Sequence, residues 1–465
     1  MEEKTKGEIL KEKLFFKPEN AYKTMSEQDI KEAFEYCEGF KKFLDASKTE
    51  REAVNFAAGE AKKQGFIPFE YGKKYNAGDK VYFINRQRAV ILTVIGKEPL
   101  SNGLNIAAAH IDSPRLDLKP RPVYEDYELA FFKTHYYGGI KKYQWTALPL
   151  TIHGIIIKKD GSSVSITVGE EDSEPVFCVT DLLPHLAKEQ LDKPLKDAIS
   201  GESLNVLIGS IPFKDDKASE KVKLNILNIL FEKYGITEAD FLSAELEVVP
   251  AIKARDVGFD KSLIGAYGQD DRVCAYPALT ALLAVNSPQK TCMAVLTDKE
   301  EIGSTGNTGL KSDYLKNFIK SLCDSAGENS IKALNSSKCL SADVNAGFDP
   351  NYPDVSDKLN ACYINCGAVL TKYTGSKGKS STSDASAELM GYFINLFNQN
   401  GIIWQTGELG KVDQGGGGTV AQYLALADMD VVDLGVPVLS MHSPFEITSK
   451  SDIYMTYKAI RAFFA

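Results

Sequence analysis

The stretch Leu104-Asn-Ile-Ala-Ala-Ala-His110-Ile-Asp112 decides the fold. It is a short apolar run, and its polar residues arrive where the run gives out, as expected of a buried strand ending at a sheet edge. The pattern recurs further along the chain. Ala294-Val-Leu-Thr-Asp-Lys-Glu300-Glu301 ends in a carboxylate pair, Cys339-Leu-Ser-Ala-Asp343 in one Asp, and Val438-Leu-Ser-Met-His442 in a second His. Gln269-Asp270-Asp271-Arg272 stands just before an apolar helix starting near Val273.

Outward from these segments the chain alternates. Strands are expected at Val81–Ile84, Ala89–Ile95, Thr291–Leu296 and Val431–Leu439, and helices at 27–45, 50–64, Ala275–Val285, Ser383–Asn398 and Val420–Ala427. Ser26 and Thr49 are helix N-caps, and Thr49 with Glu52 fits a capping box. Strand–helix alternation predicts an α/β fold with a mostly parallel central sheet flanked by helices. Between these parts lie short β-branched runs such as Ile152–Ile157 and Ser163–Val168, and polar loops such as Lys214–Lys221. They predict a β-rich insertion at 118–254, splitting a catalytic domain into 1–117 and 255–465.

In an open parallel sheet the carboxyl ends of the strands share one edge, where ligands bind. Distant segments then bring two imidazoles and several carboxylates together, with Asp270 delivered by a helix entrance. Any one of these features has an ordinary explanation: a hydrogen-bonded core His, a solvated acidic loop, a helix cap. Their coincidence is what argues for a site. Crowded carboxylates repel and push one another's pKa upward, and divalent cations relieve this. Two imidazoles with carboxylates and no thiolate suit zinc, with cobalt or manganese as alternatives. The donors outnumber the needs of one tetrahedral ion and suit a pair about 3.5–4 Å apart.

Composition narrows the classes. The chain has 465 residues, 43% of them apolar, and a net charge of -9. No basic block offers a nucleic-acid footprint. No apolar run approaches the roughly 20 residues a bilayer span requires. The stretch Met1–Lys13 is charged without an apolar signal core, so a cytoplasmic location is expected. The eight cysteines read as small buried hydrophobes rather than a disulfide framework, and Cys362 and Cys366 lack partners for a zinc ribbon.

The chain resembles the aspartyl aminopeptidase family of dinuclear zinc peptidases, bacterial type. The matching segments are Ala109-His-Ile-Asp-Ser-Pro-Arg115, Gln269-Asp-Asp-Arg272, Asp298-Lys-Glu-Glu-Ile-Gly-Ser304, Ser341-Ala-Asp343, Pro350-Asn-Tyr352, Met441-His-Ser443 and, in the insertion, Pro184-His-Leu-Ala187. The resemblance implies that His110, Asp270, Glu301, Asp343 and His442 bind two divalent ions per subunit, with Asp270 as the bridge. It implies Glu300 as general base toward a metal-activated water, and Asp112 as the residue that orients His110. Short peptides with a free N-terminus are the implied substrates. It also implies that the insertion builds a dimer and that dimers build a dodecamer. His185, Glu189, Lys372, Gly416 and Gly417 are the implied substrate-binding residues.

The chain departs from acid-preferring members in three places. Lys188 and Glu189 stand where those members have a second histidine. Asp343 is followed by Val-Asn-Ala-Gly-Phe-Asp349, without one. Lys372 is the candidate for the basic position, where a one-residue shift would put Thr371 instead, and Lys377 and Lys379 could substitute. Strict acidic specificity is therefore expected to be lost, with basic or neutral first residues accepted. Two rival classes remain: a co-catalytic metal carboxypeptidase or deacylase, and a non-catalytic metal-stabilised assembly protein.

Overall fold

The protein, described over residues 4–465 in a computed structural model, is built on a nine-stranded sheet sandwiched by helices. Residues 1–3 of the charged N-terminal stretch lie outside the described residues; most of the rest of it is the helix Lys6–Leu14. Four adjacent strands form the parallel centre, in the order Cys292–Thr297, Asn105–His110, Lys338–Ser341, Asp430–Gly435. Antiparallel pairings join Ala89–Val94 on one side and Ala368–Thr371 on the other. The parallel centre follows the expectation, while the flanks make the sheet mixed.

Strand alternation explains how both faces are covered. Ala107 and Ala109 face one core, shared with the helices Glu27–Asp45, Gln269–Leu283 and Lys450–Phe464. Ile106 and Ala108 face the other, shared with the helix Tyr314–Ala326. Ser26 accepts the Asp29 amide at 3.0 Å, and Thr49 with Glu52 forms the capping box. The regular part of the 269–283 helix begins after Asp271, because Asp270 (ψ 110) and Asp271 (ψ 24) are non-helical.

One expected strand divides. Val431–Leu439 is two strands, Asp430–Gly435 in the central sheet and Pro437–Leu439 in a separate five-stranded sheet. The break has two causes. Pro437 has no N–H to extend the ladder, and the Val436 carbonyl accepts from Asn345 N at 3.0 Å instead. His442 therefore reaches the site from the second sheet.

The β-rich region is a wholly antiparallel seven-stranded sheet running from Arg115 to Pro250, with its own apolar core. Its first hairpin, Arg115–Asp126 and Leu129–Tyr137, pairs Arg115 with Tyr137. All eight cysteines are unpaired and seven are buried, Cys178 being half-buried. Among the described residues no helix is long and apolar enough to cross a membrane.

Candidate metal centre

Asp270 lies between two imidazoles. Its Oδ1 is 3.2 Å from His110 Nε2, and its Oδ2 is 3.1 Å from His442 Nε2. Asp270 belongs to two clusters of donors whose ligand atoms lie within 4.8 Å of one another: His110, Asp270 and Asp343 on one side, Asp270, Glu301 and His442 on the other. Each position follows from the chain leaving an element. His110 ends its strand and Asp343 lies two residues beyond Ser341 on the neighbouring strand. Asp270 occupies the non-helical entrance of its helix, and Glu300–Ile302 is a single 3-10 turn after Thr297. His442 adopts a left-handed conformation (φ 62) that a side chain tolerates only with support. Glu446 supplies that support by accepting the His442 amide at 2.7 Å.

The arrangement calls for positive charge. His110 Nδ1 is 3.0 Å from the Asp112 carbonyl and His442 Nδ1 is 2.8 Å from the Gly139 carbonyl. A carbonyl only accepts, so each Nδ1 carries a proton, and each Nε2 faces an Asp270 oxygen. An imidazole nitrogen and a carboxylate oxygen at that distance share positive charge, carried by a proton on Nε2 or by a metal ion in its place. Glu301 Oε1 is buried and has no hydrogen-bond partner. The donor set, two imidazoles and three carboxylates with no thiolate, fits a pair of borderline divalent ions such as zinc.

Electrostatics point the same way. Burial, then Asp271, raises Asp343 well above the carboxylate range, and burial, then Asp270, does so for Glu301. For Asp270 burial is outweighed by His110 and His442, which hold it far below that range. Burial also opposes the charge on His442, but Asp270 and Glu301 lift it to about 10. Burial, with Asp112 and Asp270 nearby, pushes Glu300 up to about 7.

Asp112 stands beside His110 Nδ1, as expected, and has further partners. Its backbone carbonyl, rather than its carboxylate, is the nearer partner of His110, the carboxylate being 3.5 Å away. The carboxylate accepts the amides of Glu300 (3.1 Å) and Glu301 (3.2 Å). The remaining candidates are not gathered into the cluster. His185 and Glu189 are exposed in the β-rich region. Lys372 pairs with Asp384 at 2.8 Å, and Lys379 with the same carboxylate at 3.2 Å. Gly416–Gly417 pairs with Gly375–Ser376, and a Cβ at Gly416 would strike the Gly375 backbone, so packing accounts for this glycine.

Sequence reasoning missed Glu446 and Asp271. Glu446, 1% exposed, accepts the amides of both His442 and Asp270, and burial, then Asp270, raises it to about 8. Asp271 accepts the His110 amide at 3.2 Å. Both stand within four residues of a member of the donor clusters, a signal too common to single them out.

The model of the "Aminopeptidase I zinc metalloprotease (M18)" family matches residues 43–464. "Probable M18 family aminopeptidase 1" of Clostridium acetobutylicum is 52% identical over 452 residues, covering 96% of this chain and 97% of its own. The crystal structure of an M18-family aminopeptidase from Thermotoga maritima is 44% identical with a TM-score of 0.92, covering 97% of this chain and 99% of that one. The mApe1 dodecamer of S. cerevisiae shares the fold at 23% identity and a TM-score of 0.74, covering 92% of this chain and 95% of that one.

Proposed function

The chain belongs to the aminopeptidase I zinc metalloprotease (M18) family and is a metal-dependent aminopeptidase, and from that premise we propose that it removes first residues from short peptides with two divalent ions, zinc foremost, sharing Asp270. His110 and Asp343 complete one set of ligands, Glu301 and His442 the other. When bound, the ions supply Lewis acidity, which acidifies a water and polarises the carbonyl of the first peptide bond. The observation that carries this reading is the pair of Nε2 atoms facing the two oxygens of one carboxylate.

Glu300 is the general base. It neighbours Glu301 without belonging to either donor cluster, so its carboxylate is left to accept a proton and return it to the leaving amine. Glu446 and Asp112 hold the backbone around His442, Asp270 and the Glu300–Glu301 turn. The carboxypeptidase or deacylase reading has no support from the family. Glu300→Gln should keep the zinc content of the wild type and lose about 10²–10⁴-fold in kcat. A variant that lost its zinc as well, or turned over at the wild-type rate, would remove Glu300 from this role.

The 118–254 region is proposed as an inserted assembly domain, building dimers and from them a dodecamer like that of the yeast relative. Support comes from its exposed Leu182, Leu183, Leu186, Leu191 and Leu195. A cytoplasmic location is supported by the eight unpaired cysteines.

A further inference from the structure

The β-rich region begins where the site leaves off. Three residues after Asp112 the chain enters the hairpin Arg115–Tyr137, and a hairpin returns its second end beside its first. The returning segment, Tyr137-Gly138-Gly139, is thus delivered to the site. The Tyr137 hydroxyl donates to Asp112 Oδ2 at 2.8 Å. That oxygen also accepts the Glu301 amide, while Oδ1 takes the Glu300 amide. The Gly139 carbonyl accepts from His442 Nδ1 at 2.8 Å.

The two glycines leave no room to spare. A Cβ at Gly138, already left-handed at φ 74, would lie 3.3 Å from Glu301 Oε2, and one at Gly139 would lie 3.3 Å from His442 Nδ1. Tyr137 is itself held. The Arg115 guanidinium covers its ring at 3.9 Å and is paired with Asp117 at 2.7 Å and with Glu50 and Glu247 at 3.3 Å each. Arg88 is ion-paired with the other oxygen of Glu50 at 2.6 Å and with Asp298, which opens the Glu300 turn, at 3.0 Å.

We propose that Tyr137 is a positioning residue for hydrolysis, and that Tyr137–Gly139 is a clamp by which the β-rich region sets the Glu300–Glu301 turn and the ring of His442. The clamp rests on the reading of Glu300 as base and His442 as ligand. Tyr137 acts through the Asp112 carboxylate, whose two oxygens fix successive amides and so determine that Glu300 and Glu301 point differently. Gly139 acts by keeping the His442 proton on Nδ1, leaving Nε2 for a cation.

Tyr137→Phe keeps the ring against Arg115 and deletes only the hydroxyl. In the zinc-loaded full chain, with a free-amine aminoacyl reporter, kcat should fall roughly tenfold with KM within about twofold. Thermal midpoint and particle size should hold. On a Glu300→Gln background the same change should cost under about twofold, because a base already lost cannot be mispositioned. Wild-type kcat in Tyr137→Phe, or an undiminished loss on that background, would overturn the clamp while leaving Glu300 in place. A fully active Glu300→Gln would overturn both readings together. Should Tyr137→Phe fail to fold, Gly139→Ala decides, read by cobalt titration of the metal-free full chain through visible absorption. One binding step weakened about tenfold supports the clamp, and two unaltered steps reject it.

Discussion

At the scale of single residues, what matters is which atom of a side chain is left over. His110 and His442 each spend Nδ1 on a carbonyl, so both present Nε2 to Asp270. Asp270 is common to the two donor clusters, whereas Asp343 belongs only to that of His110. Asp270→Asn should therefore weaken both zinc-binding steps by more than about tenfold, and Asp343→Asn only one. Stepwise competition with a chromophoric chelator distinguishes the two. Equal behaviour of the variants would mean that the carboxylate is not shared.

At the scale of elements, one joint is polar and largely buried. His153, on the strand Leu150–Ile157, bonds Glu52 of the helix Glu50–Lys63 at 2.7 Å and Glu170 at 3.0 Å, and Lys48 reaches the same Glu170 oxygen at 2.7 Å. Burial opposes charge on His153, yet Glu170 and Glu52 raise its pKa above the ordinary value. Burial likewise opposes ionisation of Glu170, but His153 and Lys48 draw it down to about 2. The stability from His153 is complete below about 6.5 and is lost as pH rises through its raised value. The stability from Glu170 is complete above about 4.3 and is lost as pH falls toward its depressed value. The joint is therefore strongest between these limits. His153→Gln should cost roughly 2 kcal/mol in urea unfolding at pH 6, and clearly less at pH 10. An equal cost at both pH values would show that the imidazolium contributes nothing.

At the scale of the whole molecule, charge bears on the choice of substrate. The net charge is -9, and Lys372 and Lys379 share the single carboxylate of Asp384, which offsets one of their two charges. Such a field attracts a basic first residue and repels an acidic one, and salt screens it. The ratio of kcat/KM for a lysyl over an aspartyl reporter should exceed one and shrink as ionic strength rises. Faster turnover of the aspartyl reporter at every salt concentration would restore an acidic preference.

Much of this architecture was legible from the chain alone, because it depends on local pattern. Apolar runs with polar ends marked the strands, Thr49 with Glu52 marked a helix start, and His110, Asp270, Glu300, Glu301, Asp343 and His442 stood out as donors at element ends. Tertiary structure alone decided the rest. It brought His442 in from a second sheet, turned the Asp112 carboxylate onto two amides, set Glu446 beneath His442 and Asp270, and returned Tyr137–Gly139 to the site. The physical reason is range. Periodicity and capping are settled within a few residues, whereas the partner of a side chain depends on hairpin register and on where strands cross between sheets.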